Sequence, residues 1–120
     1  SNIDRHSFTA SNRALGVTFD AVYTAEDVGA YKPNPANFEY LVAGLAADFG
    51  IDRSGVLHTA QSLYHDHVPA SRLGLATAWI DRQRLAEGGP WGATAVVDDR
   101  PSVDYRFRSM AEMAEAVRRA

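Results

Sequence analysis

Val56-Leu57-His58-Thr59-Ala60 and, further on, Leu75-Ala76-Thr77-Ala78-Trp79-Ile80 decide the fold of this chain. The first is a short run rich in β-forming residues. The second has little polarity on either face, as a strand covered on both sides of a parallel sheet should. Between them, His65 to Leu73 can form a helix, with Pro69 near enough to its start to be tolerated. Strand, helix, strand makes a βαβ unit with a right-handed crossover. In such sheets ligands bind beyond the carboxyl ends of the strands. Two polar clusters fall there: Gln61-Ser62 after the first strand and Asp81-Arg82 after the second. A strand leading into Ser1-Asn2 would bring that pair to the same edge.

Working outward, Asp4 to Leu15 reads as a helix capped by Asp4 and ended by Gly16, with Phe8 and Leu15 on one face. Phe19 to Thr24 alternates and predicts a short strand. Phe38, Leu41, Val42, Leu45, Ala46 and Phe49 recur at helical spacing, and Gly50 stops the run. Asp81 to Asp104 is mostly loop, with a brief strand expected at Val96-Val97. Tyr105 to Arg108 predicts an edge strand. Ser109-Met110-Ala111-Glu112 is a capping-box pattern opening a last helix. No repeat or linker interrupts the pattern, so residues 1–120 read as one α/β domain.

The 120 residues are 46% hydrophobic and 22% charged, with a formal net charge of -3. These are globular values, and no Lys/Arg run offers a stripe for nucleic acid. No cysteine is present, which removes disulfides, thiol nucleophiles and thiolate metal sites, and is compatible with a cytoplasmic protein. No stretch approaches a membrane span and no signal peptide is visible.

The densest local signal is Tyr31-Lys32-Pro33-Asn34-Pro35. The proline after Lys32 disfavours helical backbone there. Asn34 suits a helix N-cap and Pro35 the first helical position. One ammonium group is thus carried on a stiff loop beside the positive end of a helix dipole, a combination that suits an anion. The alternative is a solvated loop lysine ahead of a capped helix.

Taken in order, Ser1-Asn2, Lys32 and Gln61-Ser62…Asp66 supply a hydroxyl and amide, a fixed cation, and a polar loop closed by a carboxylate. This order and spacing resembles the second, third and fourth motifs of the haloacid dehalogenase (HAD) superfamily. Ser1-Asn2 matches the Ser-Asn strand end and is therefore taken as native. Lys32 to Pro35 matches Lys-Pro-x-Pro, and Ala60 to Asp66 occupies the Gly-Asp-Ser-x-x-x-Asp frame. Gly74 to Arg82 looks like the strand and Asn-Arg segment of the type II, haloacid-dehalogenase-like branch. The resemblance covers nearly the whole chain. It implies a Rossmann-like three-layer core with a parallel sheet. It also implies a hydrolase in which an aspartate attacks carbon or phosphorus and water cleaves the resulting ester. Carried over, Lys32, Ser62 and Asp66 are catalytic, and Ser1, Asn2 and Gln61 bind a small anionic substrate.

Two departures qualify this. In the family the nucleophile lies near the start of the protein, in a strand reading Asp-x-x-x-Thr/Val ahead of the Ser-Asn motif; no aspartate here is in that place, and the cap domain is missing. Residues 1–120 are thus expected to be the C-terminal portion of such a core. Alone they should be inactive and less stable, with the N-terminal part of the same protein as partner and a homodimer as a further expectation. Second, Gln61 stands where metal-dependent members carry an acid, and a neutral amide is a poor ligand for Mg²⁺. No cofactor is therefore expected. Leu63 stands where the dehalogenase pattern Ser-Ser-Asn-x-x-Asp has its asparagine, which counts against dehalogenation proper. The rival functions are a non-catalytic anion-binding or interaction module and a Mg²⁺-dependent phosphatase.

Other residues invite over-reading. His65 and His67 are two apart on a helix and point in different directions, so they make no metal pair. His58 reads as a packed core histidine, Trp79 and Trp91 as packing residues, and Arg82 as a solvated arginine. Asp66 itself could be only a carboxylate at a helix start.

Overall fold

The computed structural model describes residues 1–120 and falls into two compact units, Ser1–Gly50 and Ile51–Ala120. No helix is long and apolar enough to cross a membrane.

The first unit is helical: α1 Arg5–Leu15, α2 Ala25–Val28 and α3 Pro35–Phe49. Local capping explains the boundaries. Asp4 accepts from the Ser7 amide, and Gly16 closes α1 at φ 65°, a conformation that costs glycine little. Asn34 caps α3 by accepting from the Ala36 amide, Pro35 opens it, and Gly50 ends it. Inside α3, a Cβ at Gly44 would lie 2.8 Å from the Tyr23 hydroxyl. Glycine there lets the Tyr23 ring lie against the helix. The ring also meets Tyr40 edge-on, and its hydroxyl donates to Asp48 Oδ2 at 3.3 Å.

The strand expected at Phe19 to Thr24 does not form. The main-chain groups at its end are taken by other partners. The Tyr23 carbonyl accepts from the Ser1 nitrogen at 2.7 Å, and the Ala25 amide donates to the carbonyls of Ser1 and Ile3. Thr24 caps α2 in a reciprocal box with Asp27. Phe19 turns its ring toward Phe8.

The second unit holds a three-stranded parallel sheet in the order β1-β2-β3: Leu57–Ala60, Ala76–Ile80 and Tyr105–Phe107. The expected βαβ unit is present. Leu57 pairs with Ala76 and Ala60 with Trp79 in register. β3 is an edge strand, as its sequence suggested, with Ala78 opposite Tyr105. The crossover helix differs from expectation at its start. It opens with a wide π-type turn, Leu63–His67, and only then becomes α4, Val68–Arg72. α5, Met110–Arg119, follows β3. Ser109 caps it, while the Glu112 carboxylate takes the Arg108 amide, one residue short of a full capping box.

Leu63, Trp79 and Leu85 form the buried core, with Trp91, Val97 and Val103 packed against it. Both tryptophans are packing residues. Val96-Val97 is not a strand; Val97 packs on this core from an irregular loop while Val96 stays exposed. Burying side chains of this size contributes roughly 1.5–3 kcal/mol each.

Candidate functional site

The Lys32 loop is held by side-chain amides. Asn2 grips Lys32 on both sides of its main chain: its Oδ1 accepts from the Lys32 amide at 2.6 Å, and its Nδ2 donates to the Lys32 carbonyl at 3.1 Å. The main-chain amide of Asn34 donates to the Tyr31 carbonyl at 3.0 Å, closing the turn. Asn37, one turn into α3, donates to the Ala30 carbonyl at 2.8 Å. The Lys32–Pro33 peptide is cis. Half-buried Lys32 thus sits two residues before the N-cap of a 15-residue helix, within the reach of its dipole. Asn2, expected on the substrate, is engaged with the lysine's backbone.

A second anchor joins the start of α1 to α2. Arg5 bonds the Asp27 carboxylate, and its own amide donates to Glu26 Oε2 at 3.1 Å. The Thr24 backbone amide and then Arg5 hold the Asp27 carboxyl below its ordinary range. Desolvation first, and the nearby Asp48 carboxylate second, push the Tyr23 hydroxyl up.

In the second unit the polar cluster lies at the carboxyl end of β1, where an α/β sheet binds ligands. Ser62 opens the π-type turn, accepting from the His65 amide at 3.1 Å, with His65 Nδ1 3.0 Å from the same hydroxyl. The wider turn appears in the ladder: the His67 amide reaches back to the Ser62 carbonyl at 3.3 Å, and the Val68 amide to that of Leu63. Asp66 is buried, at 5% exposure, and its Oδ1 lies 3.0 Å from His58 Nε2. His67 is fully buried and donates its Nε2–H to the Ala60 carbonyl at 2.8 Å. His65 and His67 therefore point apart, as their spacing required. His58, expected to be ordinary packing, is the direct partner of Asp66.

Gln61 is occupied structurally. Its amide nitrogen donates to Gln83 Oε1 at 2.8 Å and to Thr94 Oγ1 at 3.0 Å, tying β1 to the long loop after β2. Its carbonyl accepts from Trp79 Nε1 at 3.1 Å. Asp81 is also structural. Its carboxylate accepts from the Leu85 and Ala86 amides and pairs with Arg106 at 2.9 Å.

The donors that could meet Mg²⁺ here already have protein partners. Asp66 is committed through Oδ1 to His58, Asp81 is saturated by main-chain donors and Arg106, and Gln61 brings no charge. No group of three His, Asp or Glu side chains is arranged to hold a metal ion.

No protein-family model matches the chain, and no curated protein matches it. Solved structures do. YfnB from Bacillus subtilis, a HAD-hydrolase bound to magnesium, superposes with TM-score 0.72 at 20% identity, over 97% of this chain and 46% of that one. The L-2-haloacid dehalogenase from Xanthobacter autotrophicus gives TM-score 0.71 at 17% identity, over 96% and 51%. A HAD phosphatase from Thermococcus onnurineus gives 0.66 at 23%, over 95% and 46%. The chain spans about half the length of these proteins. At such identities the likeness establishes the fold: this chain has the HAD-like α/β fold that its motifs resembled.

Proposed function

We propose that residues 1–120 are part of a HAD-type hydrolase acting on a small anionic substrate of the 2-haloacid kind. The observation that carries this is the Ser62-to-Asp66 turn at the carboxyl end of β1, with a buried carboxylate where the family's fourth motif ends. The likeness of the fold to haloacid dehalogenases supports it.

An aspartate carried outside these 120 residues attacks the carbon bearing the halogen. Its carboxylate oxygen forms an ester as the carbon–halogen bond breaks and halide leaves. Water then adds to the ester carbonyl. Asp66 takes a proton from that water and returns it to the alkoxide as the ester opens, releasing a 2-hydroxyacid and the free aspartate. Lys32 offsets the negative charge of the nucleophile and the substrate. Ser1 binds the substrate carboxylate, Asn2 fixes Lys32, and Ser62 shapes the turn that carries Asp66. Gln61 acts as a strut to the loop after β2. No metal is required, and the protein's own N-terminal part is the partner that completes the site.

A non-catalytic anion-binding module is the second choice, favoured because no strand ahead of Ser1-Asn2 in these 120 residues carries the family's Asp-x-x-x-Thr/Val nucleophile. Mg²⁺-dependent phosphatase chemistry is disfavoured by the engaged amide of Gln61.

The test is an assay of the protein that carries these residues behind such an aspartate strand. Halide release from 2-haloacids should proceed undiminished in EDTA. Phosphate release from phosphate esters that needs Mg²⁺, without any halide release, would overturn the proposal in favour of the phosphatase.

A further inference from the structure

We infer that His58 is a positioning residue for Asp66, an imidazole donor that fixes the orientation of the catalytic carboxylate. The inference rests on the hydrolase role proposed above.

The geometry comes from two elements that face each other for separate reasons. His58 lies on β1, where its backbone is paired in register with Thr77, so the direction of its side chain is set by the sheet. Asp66 lies in the π-type turn. Such turns occur often at functional sites, because the extra residue re-aims neighbouring side chains. Here His67 pins the turn to the strand through the Ala60 carbonyl at 2.8 Å. The rings of His58 and His67 meet edge-on at 6.3 Å. The turn thus docks on β1 at Ala60 and, two residues earlier along the strand, at His58.

The chemistry assigns the protons. An ionised carboxylate only accepts, so at 3.0 Å the hydrogen of this contact belongs to His58 Nε2. One carboxylate oxygen, Oδ1, is thereby committed to His58. That contact restrains the orientation of the carboxylate. Both side chains are largely buried, 16% and 7% exposed, so water would replace this hydrogen bond poorly if the donor were removed. An acid–base carboxylate must be in the right place before its basicity counts, and a buried donor provides that order.

The test uses the protein carrying the aspartate-bearing segment, with its histidine rings labelled with ¹⁵N. The ring nitrogens of His58 should show the Nε2–H form, with a proton that exchanges slowly. His58→Phe keeps a ring and removes the donor. It should lower kcat by about 10–100-fold, the usual scale for a partner that orients a reacting group, with KM little changed. His58→Gln, which retains an N–H at similar reach, should recover most of kcat. A merely structural histidine would move melting temperature without this split and without the glutamine rescue. Nδ1–H at His58, an unchanged kcat in His58→Phe, or a glutamine variant no better than phenylalanine would each overturn the inference while leaving the hydrolase in place. A wild-type protein inactive on 2-haloacids and phosphate esters, with His58 still in the Nε2–H form, would instead overturn the hydrolase proposal and this role with it.

Discussion

The two units hold their key charges by different means. In the first, Asn2 grips the Lys32 backbone, and half-buried Lys32 takes its place from a loop. In the second, His58 grips the Asp66 carboxylate itself, and the acid is buried. A charge held by its main chain depends on turns and caps, and can be loosened in small steps. A charge held by its head group depends on its donors in a low-dielectric place, where losing one costs more.

That contrast sets the order of expected effects. Asp66→Asn keeps the shape of the side chain but not its basicity. Its kcat should fall by about 10²–10⁴, the range for a lost acid–base group, with folding retained by circular dichroism. Comparable rates in the variant would return Asp66 to a plain helix-start carboxylate. Lys32→Ala should cost about 10²–10³ in kcat/KM, as removal of a preorganised electrostatic partner does. Unchanged kinetics would make Lys32 a solvated loop residue. Asn2→Ala should be milder. Two exposed hydrogen bonds at about 0.5–1.5 kcal/mol each set the loss of stability, and catalysis should fall less than in Lys32→Ala. An Asn2→Ala variant as slow as Lys32→Ala would show that the amide meets substrate directly, as the motif first suggested.

The smallest expected effect is one of pH. Asp27 and Glu87 are both held below their ordinary values, Asp27 mainly by the Thr24 amide and Glu87 mainly by Arg108. A depressed carboxyl contributes stability that is complete above its unfolded value, 3.8 for Asp27 and 4.5 for Glu87, and is lost as pH falls through the lower folded value. Acid titration of melting temperature should show this loss below those values. Asp27→Asn should flatten it in part. Glu87 is exposed and Asp27 half-buried, so the slope should be shallow and, for Glu87 above all, weaker in salt.

What was legible in the sequence follows the same division. The helices of the first unit could be read because their signals are local: Asp4 and Gly16, Asn34 and Gly50, each stand beside the turn they cap. At Phe19 to Thr24 the alternation predicts a strand, but Thr24-x-x-Asp27 prevails. That pattern is a readable capping box, and it starts α2. In the second unit β1 and β2 were legible from their apolar β-branched and aromatic runs, and the three-motif frame pointed to the right fold. The π-type turn was not legible, since nothing within Leu63–His67 distinguishes it from ordinary helix. Nor was the pairing of His58 with Asp66. They are eight residues apart and meet only because strand and turn are docked by His67. Gln61 was read as a metal-site substitution. Its strut role needed Gln83 and Thr94, brought back by a long loop.

Under the proposed function, the nucleophile lies outside residues 1–120, and Lys32 and Asp66 serve it. This claim is tested most directly by quenching the protein in acid during turnover of a 2-haloacid and mapping the ester by peptide mass spectrometry. We expect the adduct on an aspartate of an Asp-x-x-x-Thr/Val segment preceding Ser1, and none on a peptide from residues 1–120. An adduct on Asp66, Asp81, Asp98 or Asp99, or turnover by residues 1–120 alone, would contradict it.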